Sequence, residues 1–293
     1  MEDTGGTGAK CQPAREMTLL EAGPLGGRLT ISGFLAGAVM GVAVLSLLWW
    51  IIDRAAWRRV AGGVEKLPTG VAIGAVALLG GILFALALIW IQHPLQMVLR
   101  LWIVATVAST NPVLLLLPTA VLSGIVQEPA KLLAVLIARA QCRRREIPGR
   151  EGRRLAGDPA ADALLYGVPV GIGAGALEAA MTLSHALAMA PSAGALLPVF
   201  VERASALVFH GSLTGLVAYA WSAGRGWLVL VIAALTHGLL NYVVVLLSTR
   251  LGLGGVWLIE AVVAAVAVAL MLLLRRAVAR QPQPPETGRP TSR

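Results

Sequence analysis

Charge is the scarcest ingredient of this sequence. Asp, Glu, Lys and Arg make up 13% of its 293 residues, about half the ~25% of an ordinary soluble domain. A soluble chain of this length would expose a charged surface that these residues cannot supply. Recognisable nucleotide or metal signatures are missing as well. There is no P-loop, no GxGxxG placed after a strand, no HExxH and no CxxC. Asn, Asp and alternating apolar–polar patterns are few inside the apolar runs, which favours membrane helices over a membrane barrel.

What the chain does have is apolar length. Hydrophobic residues account for 57% of it, with a mean hydropathy of +0.78. They fall in unbroken runs, and about 20 helical residues cross a ~30 Å hydrocarbon layer. The runs predict seven spans: Thr30–Ile52, Thr69–Gln92, Pro112–Ala140, Ala163–Ala190, Gly194–Ser222, Trp227–Ser248 and Val256–Arg275. The expected fold is therefore an all-α polytopic bundle occupying residues 30–278, between polar, disordered tails at 1–29 and 279–293. The first span is too long for a signal-peptide core, and Arg54, Arg58 and Arg59 follow it where a cleavage site would fall, so it reads as an anchor. A further apolar stretch, Leu95–Ser109, is short and carries Arg100, and it reads as an interfacial or re-entrant helix.

The formal charge of +9 does not point to nucleic acid, because the arginines sit in short loops beside apolar runs, where topology and lipid headgroups account for them. With the amino terminus outside and the carboxyl terminus inside, 17 of the 24 Lys and Arg residues fall on the inner side. The outer side keeps Lys10, Arg15, Arg28, Arg100 and Arg250. The two cysteines, Cys11 and Cys142, then lie on opposite sides and cannot pair. The Ala/Gly/Arg/Leu bias fits a bacterial cytoplasmic membrane.

The ionisable residues inside the spans carry the functional argument. Each charge near the bilayer centre costs at least ~2.5–3.5 kcal/mol, so such residues face partners or water and mark function. Glu128, Glu178, His210 and His237 lie near mid-span on four separate helices and so share a depth. Asn241 is on the face of His237 at i,i+4, and Lys131 reaches Glu128 at i,i+3. Pro129 removes a backbone donor and should bend its helix. Gly167, Gly171, Gly173 and Gly175 provide small faces for close helix packing. Against a site role stand blander readings. Glu202 and Arg203 form a local charge pair that either locks two helices or supports the site. His185 is an interhelical hydrogen bonder, His93 is interfacial, and Glu260 snorkels to the outer interface.

In order, the motifs are Gln127-Glu128-Pro129-Ala130-Lys131, then Gly175-Ala176-Leu177-Glu178-Ala179, then Glu202-Arg203 with His210, then His237-Gly238-Leu239-Leu240-Asn241. Over about residues 112–248 this set resembles the CPBP/PrsW-type glutamic intramembrane proteases, most closely the YhfC-like branch. The resemblance implies an endopeptidase that cuts membrane-embedded or membrane-proximal protein or peptide substrates within the lipid bilayer. It implies an acid of the first motif as general base, His210 and His237 orienting water or moving a proton, and Asn241 bonding the oxyanion. The family's first motif usually carries two adjacent glutamates, and here the leading one is Gln127, which cannot act as a base. Either Glu128 or Glu178 takes that role, or the chain is an inactive scaffold of the same fold. No cofactor is the expectation. The alternative is zinc on Glu178, His210 and His237, a His₂Glu set. Those three residues are expected to form the tightest trio, with Glu128 held by Lys131 as support. A proton- or ion-coupled transporter would also need buried Glu and His, although no paired inverted repeat is present.

Overall fold

The computed structural model describes residues 29–52, 69–107, 112–145, 158–189, 192–251 and 255–280. The two tails, the loop arginines from Arg150 to Arg154, and Cys11 lie outside these residues. The elements are α1 (Ile31–Ile51), α2 (Thr69–Ala87), a π-helical segment (Leu88–Gln92), α3 (His93–Val107) and α4 (Pro112–Arg145). They continue with α5 (Pro159–Ala161), a second π segment (Asp162–Gly167), α6 (Val168–Met189), α7 (Ala193–Ser222), α8 (Gly226–Leu251) and α9 (Val256–Ala279). Seven stretches of helix among the described residues are long and apolar enough to cross a membrane. The chain is an all-α, multi-pass membrane bundle.

Its surface is that of a protein in lipid. Large apolar side chains such as Phe34, Val39, Trp90, Leu101, Leu228 and Trp257 point outward, while Glu128, Lys131, His210 and His237 are buried. Two helix starts carry side-chain caps. The Thr30 side chain accepts from the Gly33 amide at 3.1 Å, and Asp158 Oδ1 accepts from the Ala160 amide at 2.9 Å. Between α7 and α8 the chain turns over three residues, with Gly224 at φ +77°, a conformation that favours glycine.

The short helix expected at 95–109 is α3, but no loop precedes it. α2 runs into α3 through the π segment, whose end is marked by the His93 amide donating to Leu88 O. Neither Pro118 nor Pro129 interrupts α4. α4 also extends to Arg145, past the predicted end at Ala140, and Arg139 near its end pairs with Asp162.

α6 is the most enclosed span and packs against α1, α2 and α7. Small residues make these approaches possible. A Cβ on Gly173 would stand 1.8 Å from the Ala77 carbonyl oxygen of α2, and one on Gly171 would stand 2.3 Å from the His210 carbonyl oxygen of α7. α4 and α8 cross as closely, because a Cβ on Gly124 would lie 2.0 Å from Ala234 O. Two of the crossings matter most for function: α6 with α7 places Glu178 beside His210, and α4 with α8 places Glu128 beside His237.

Candidate functional site

Lys131 is fully buried, and its Nζ lies 2.5 Å from Glu128 Oε1 and 3.0 Å from His210 Nδ1. An ammonium can only donate, so His210 Nδ1 is the acceptor. The His210 ring proton is then on Nε2, which donates to Glu178 Oε2 at 3.0 Å. The same Glu128 oxygen receives His237 Nδ1–H at 2.5 Å. A neutral His237 therefore keeps its free lone pair on Nε2. Arg203 Nη1 reaches the other Glu178 oxygen at 3.1 Å, and the same guanidinium pairs with Glu202. One chain of contacts thus runs Glu202–Arg203–Glu178–His210–Lys131–Glu128–His237 across α4, α6, α7 and α8.

The two imidazoles meet edge to face, with ring centroids 5.0 Å apart. Phe209 is wedged against both, at 5.5 Å from His210 and 5.4 Å from His237. Gly175 makes room for His210, since a Cβ there would fall 3.1 Å from His210 Cδ2. The rings are held by packing as well as by hydrogen bonds, which fixes their orientation.

A cavity of about 630 Å³ lies in front of this cluster. Gln127, Glu178, Arg203, His210, His237 and Asn241 border it, together with Gln92, Gln96 and Arg100 from the α2–α3 side. Glu128 and Lys131 do not border it and form a second row behind the histidines. Glu178 is 24% exposed, against 1% for Glu128. Asn241 Nδ2 donates to Ser123 Oγ at 2.8 Å, and Ser123 donates in turn to Ala120 O. One N–H of the Asn241 amide is thereby fixed, leaving the other for a ligand.

Comparison with known proteins returns nothing. No family model matches the chain, and no curated protein and no solved structure is detectably similar to it. The site has to be read from its own geometry.

The structure gathers all five residues expected at the site, with Lys131, Glu202 and Arg203 beside them. The expected trio changes, however. Among the described residues, the set whose donor atoms lie mutually within 4.8 Å is Glu128, His210 and His237, not Glu178, His210 and His237. The physical reason is that Glu178 meets His210 from the side away from Lys131, while Glu128 enters between Lys131 and His237. Glu260 does not snorkel. It is 6% exposed, with Oε2 buried and without a hydrogen-bond partner among the described residues. His185 is exposed on α6, away from the cluster, whereas His93 borders the cavity.

Sequence reasoning missed several polar residues. Gln92, buried in the first π segment, accepts from Gln127 Nε2 at 2.9 Å, and Gln127 Oε1 is left buried without a partner among the described residues. Ser123, which anchors Asn241, was also missed. A second, partly buried cluster joins Arg139, Asp162 and Ser222, with Arg139 Nη1 3.2 Å from Asp162 Oδ2 and 3.0 Å from Ser222 Oγ. The one available signal was a polar residue interrupting each apolar run.

Zinc is the metal that a His₂Glu donor set would suit. Glu128, His210 and His237 have the right donors, but the Lys131 ammonium stands against two of them and occupies the Nδ1 lone pair of His210. With Lys131 in this position, the three side chains do not fit a shared metal ion.

Proposed function

We propose that the chain is an intramembrane endopeptidase that hydrolyses peptide bonds of membrane-embedded or membrane-proximal substrates in a bacterial membrane, with its amino terminus outside. The observation that carries this reading is the pair of carboxylate–imidazole contacts, Glu178–His210 and Glu128–His237, which set Glu178, both histidines and Asn241 around one cavity with Glu128 behind them. Glu128 behind His237 orients that ring and leaves its Nε2 free to act as a base, while His210, engaged at both nitrogens, holds Glu178 in place.

His237 Nε2 takes a proton from a water in the cavity, and Glu178 accepts the other hydrogen and aims the oxygen. The resulting hydroxide attacks the peptide carbonyl carbon. The free N–H of Asn241 donates to the developing oxyanion. His237 then returns the proton to the leaving amine as the C–N bond breaks. Glu128 acts through His237 and is a positioning residue. Gln127 takes no part in proton transfer, so its place in the motif does not disable the site.

The test is cleavage of a mixed set of single-span substrates in proteoliposomes. Wild type should cut at least one of them, and His237→Ala and Glu178→Ala should lower the rate by roughly 10²–10⁴-fold, the usual worth of a positioned acid–base group. A folded His237→Ala variant that cuts at the wild-type rate would refute the assignment. A second reading is proton-coupled transport, which the chain of titratable groups Glu178–His210–Lys131–Glu128–His237 favours. Proton flux into the same vesicles would identify it.

A further inference from the structure

Three potential ligands from three helices, Glu128 on α4, His210 on α7 and His237 on α8, each bring a donor atom within 4.8 Å of the others, and all three are buried. A zinc ion holds such ligands at ~2.0–2.2 Å, so donors around one ion lie roughly 3–4 Å apart. The cluster is therefore only slightly wider than a metal site. Lys131 is the reason. Its Nζ is 2.5 Å from Glu128 Oε1 and 3.0 Å from His210 Nδ1, and the side chain is 0% exposed.

We propose that Lys131 is the resident cation of this cluster. Its ammonium takes the position of a divalent metal, the native protein binds no metal there, and an apolar residue at 131 converts Glu128, His210 and His237 into a site for zinc or cobalt. The electrostatics are those of a metal site with a different cation. The ammonium neutralises the buried carboxylate and engages one imidazole through its lone pair. It differs from zinc in being covalently attached one helical turn from Glu128, so no chelator removes it. On His210 it acts as a metal at Nδ1 would. By claiming Nδ1, it puts the proton on Nε2 and so directs a donor at Glu178. Lys131 is thus a positioning residue that joins the two carboxylate–imidazole pairs into one unit. None of this depends on whether the site hydrolyses peptides.

The test uses the purified full chain in detergent micelles and reads metal binding instead of activity. Wild type, Lys131→Met, Lys131→Ala and the double variant Lys131→Met/His237→Ala are titrated with Co²⁺, whose visible absorption reports tetrahedral ligation. Thermal unfolding is followed with and without Zn²⁺. Wild type should develop no tetrahedral cobalt spectrum, and zinc should not shift its unfolding. Lys131→Met should bind one equivalent of Co²⁺ and unfold at a higher temperature with zinc, and the double variant should lose both effects. Lysine variants that fold only when zinc is supplied also support the proposal. One equivalent of Co²⁺ bound by wild type and lost in His237→Ala would overturn it. So would folded Lys131→Met and Lys131→Ala proteins that bind no metal. If neither lysine variant folds with or without zinc, the wild type against His237→Ala comparison decides, because equal metal content supports the proposal and a drop refutes it.

Discussion

The Glu128–Lys131 pair sits at the centre of the bundle, with the carboxylate 1% and the ammonium 0% exposed. Replacing Glu128 by Gln leaves an acceptor oxygen for His237 but strands a buried ammonium. Replacing Lys131 by Met strands a buried carboxylate. Breaking a buried pair from one side costs about 3–5 kcal/mol, because the remaining charge is uncompensated. Replacing both charges removes that penalty. Each single variant should therefore be destabilised by about 3–5 kcal/mol, while Glu128→Gln/Lys131→Met should lose only about 1–2 kcal/mol. For a chain of this size, 3–5 kcal/mol corresponds to a fall of roughly 6–20 °C in unfolding temperature. Unfolding followed by circular dichroism in micelles gives the cycle. A double variant that loses the sum of the two singles would refute the idea that the two charges are each other's main partner. So would singles that each lose under about 1 kcal/mol.

Other outcomes follow from the same geometry. Gly124→Ala puts a Cβ 2.0 Å from Ala234 O and 2.9 Å from the Gly238 nitrogen, both backbone atoms. It should force α4 and α8 apart, cost about 1–3 kcal/mol and lower cleavage by loosening the Glu128–His237 contact. Gly74→Ala meets nothing within 4 Å and should leave cleavage unchanged while stabilising its helix by about 0.5–1 kcal/mol in the same unfolding assay. Arg203→Lys loses the fork that serves Glu202 and Glu178 together and should slow cleavage about tenfold with little change in unfolding temperature. In a cysteine-free background, Ser192→Cys should react with an impermeant thiol reagent in intact cells and Ala223→Cys only after permeabilisation. The reverse pattern would invert the topology.

The spans were legible because apolar length is a one-dimensional signal. All seven predicted stretches coincide with helices, most of them shifted by one to four residues at their ends. The depth of the site was legible for the same reason, since Glu128, Glu178, His210 and His237 are near the middles of their runs. Rotation was not. Gln127 and Glu128 are adjacent, yet Gln127 borders the cavity while Glu128 turns to the row behind it. That choice depends on how α4 seats against α8 at Gly124, a contact between residues far apart in sequence. Glu260 shows the same gap. Near the end of an apolar run it reads as a snorkelling acid, but α9 packs against α7 and turns it inward. Arg139 fell within its predicted span, but its partners Asp162 and Ser222 are distant in sequence, and no local pattern pairs them.

Hydrolysis at a base fixed by Glu128 is the central claim, and cleavage in heavy-oxygen water tests it most directly. A single-span substrate is incubated with wild type and His237→Ala in proteoliposomes made with ¹⁸O-water, and the products are read by mass spectrometry. The account predicts one cut within or beside the span, with one heavy oxygen in the new carboxyl terminus, and loss of the cut in the variant. It is contradicted if no substrate is cut while wild type, but not His237→Ala, carries protons across the same vesicles.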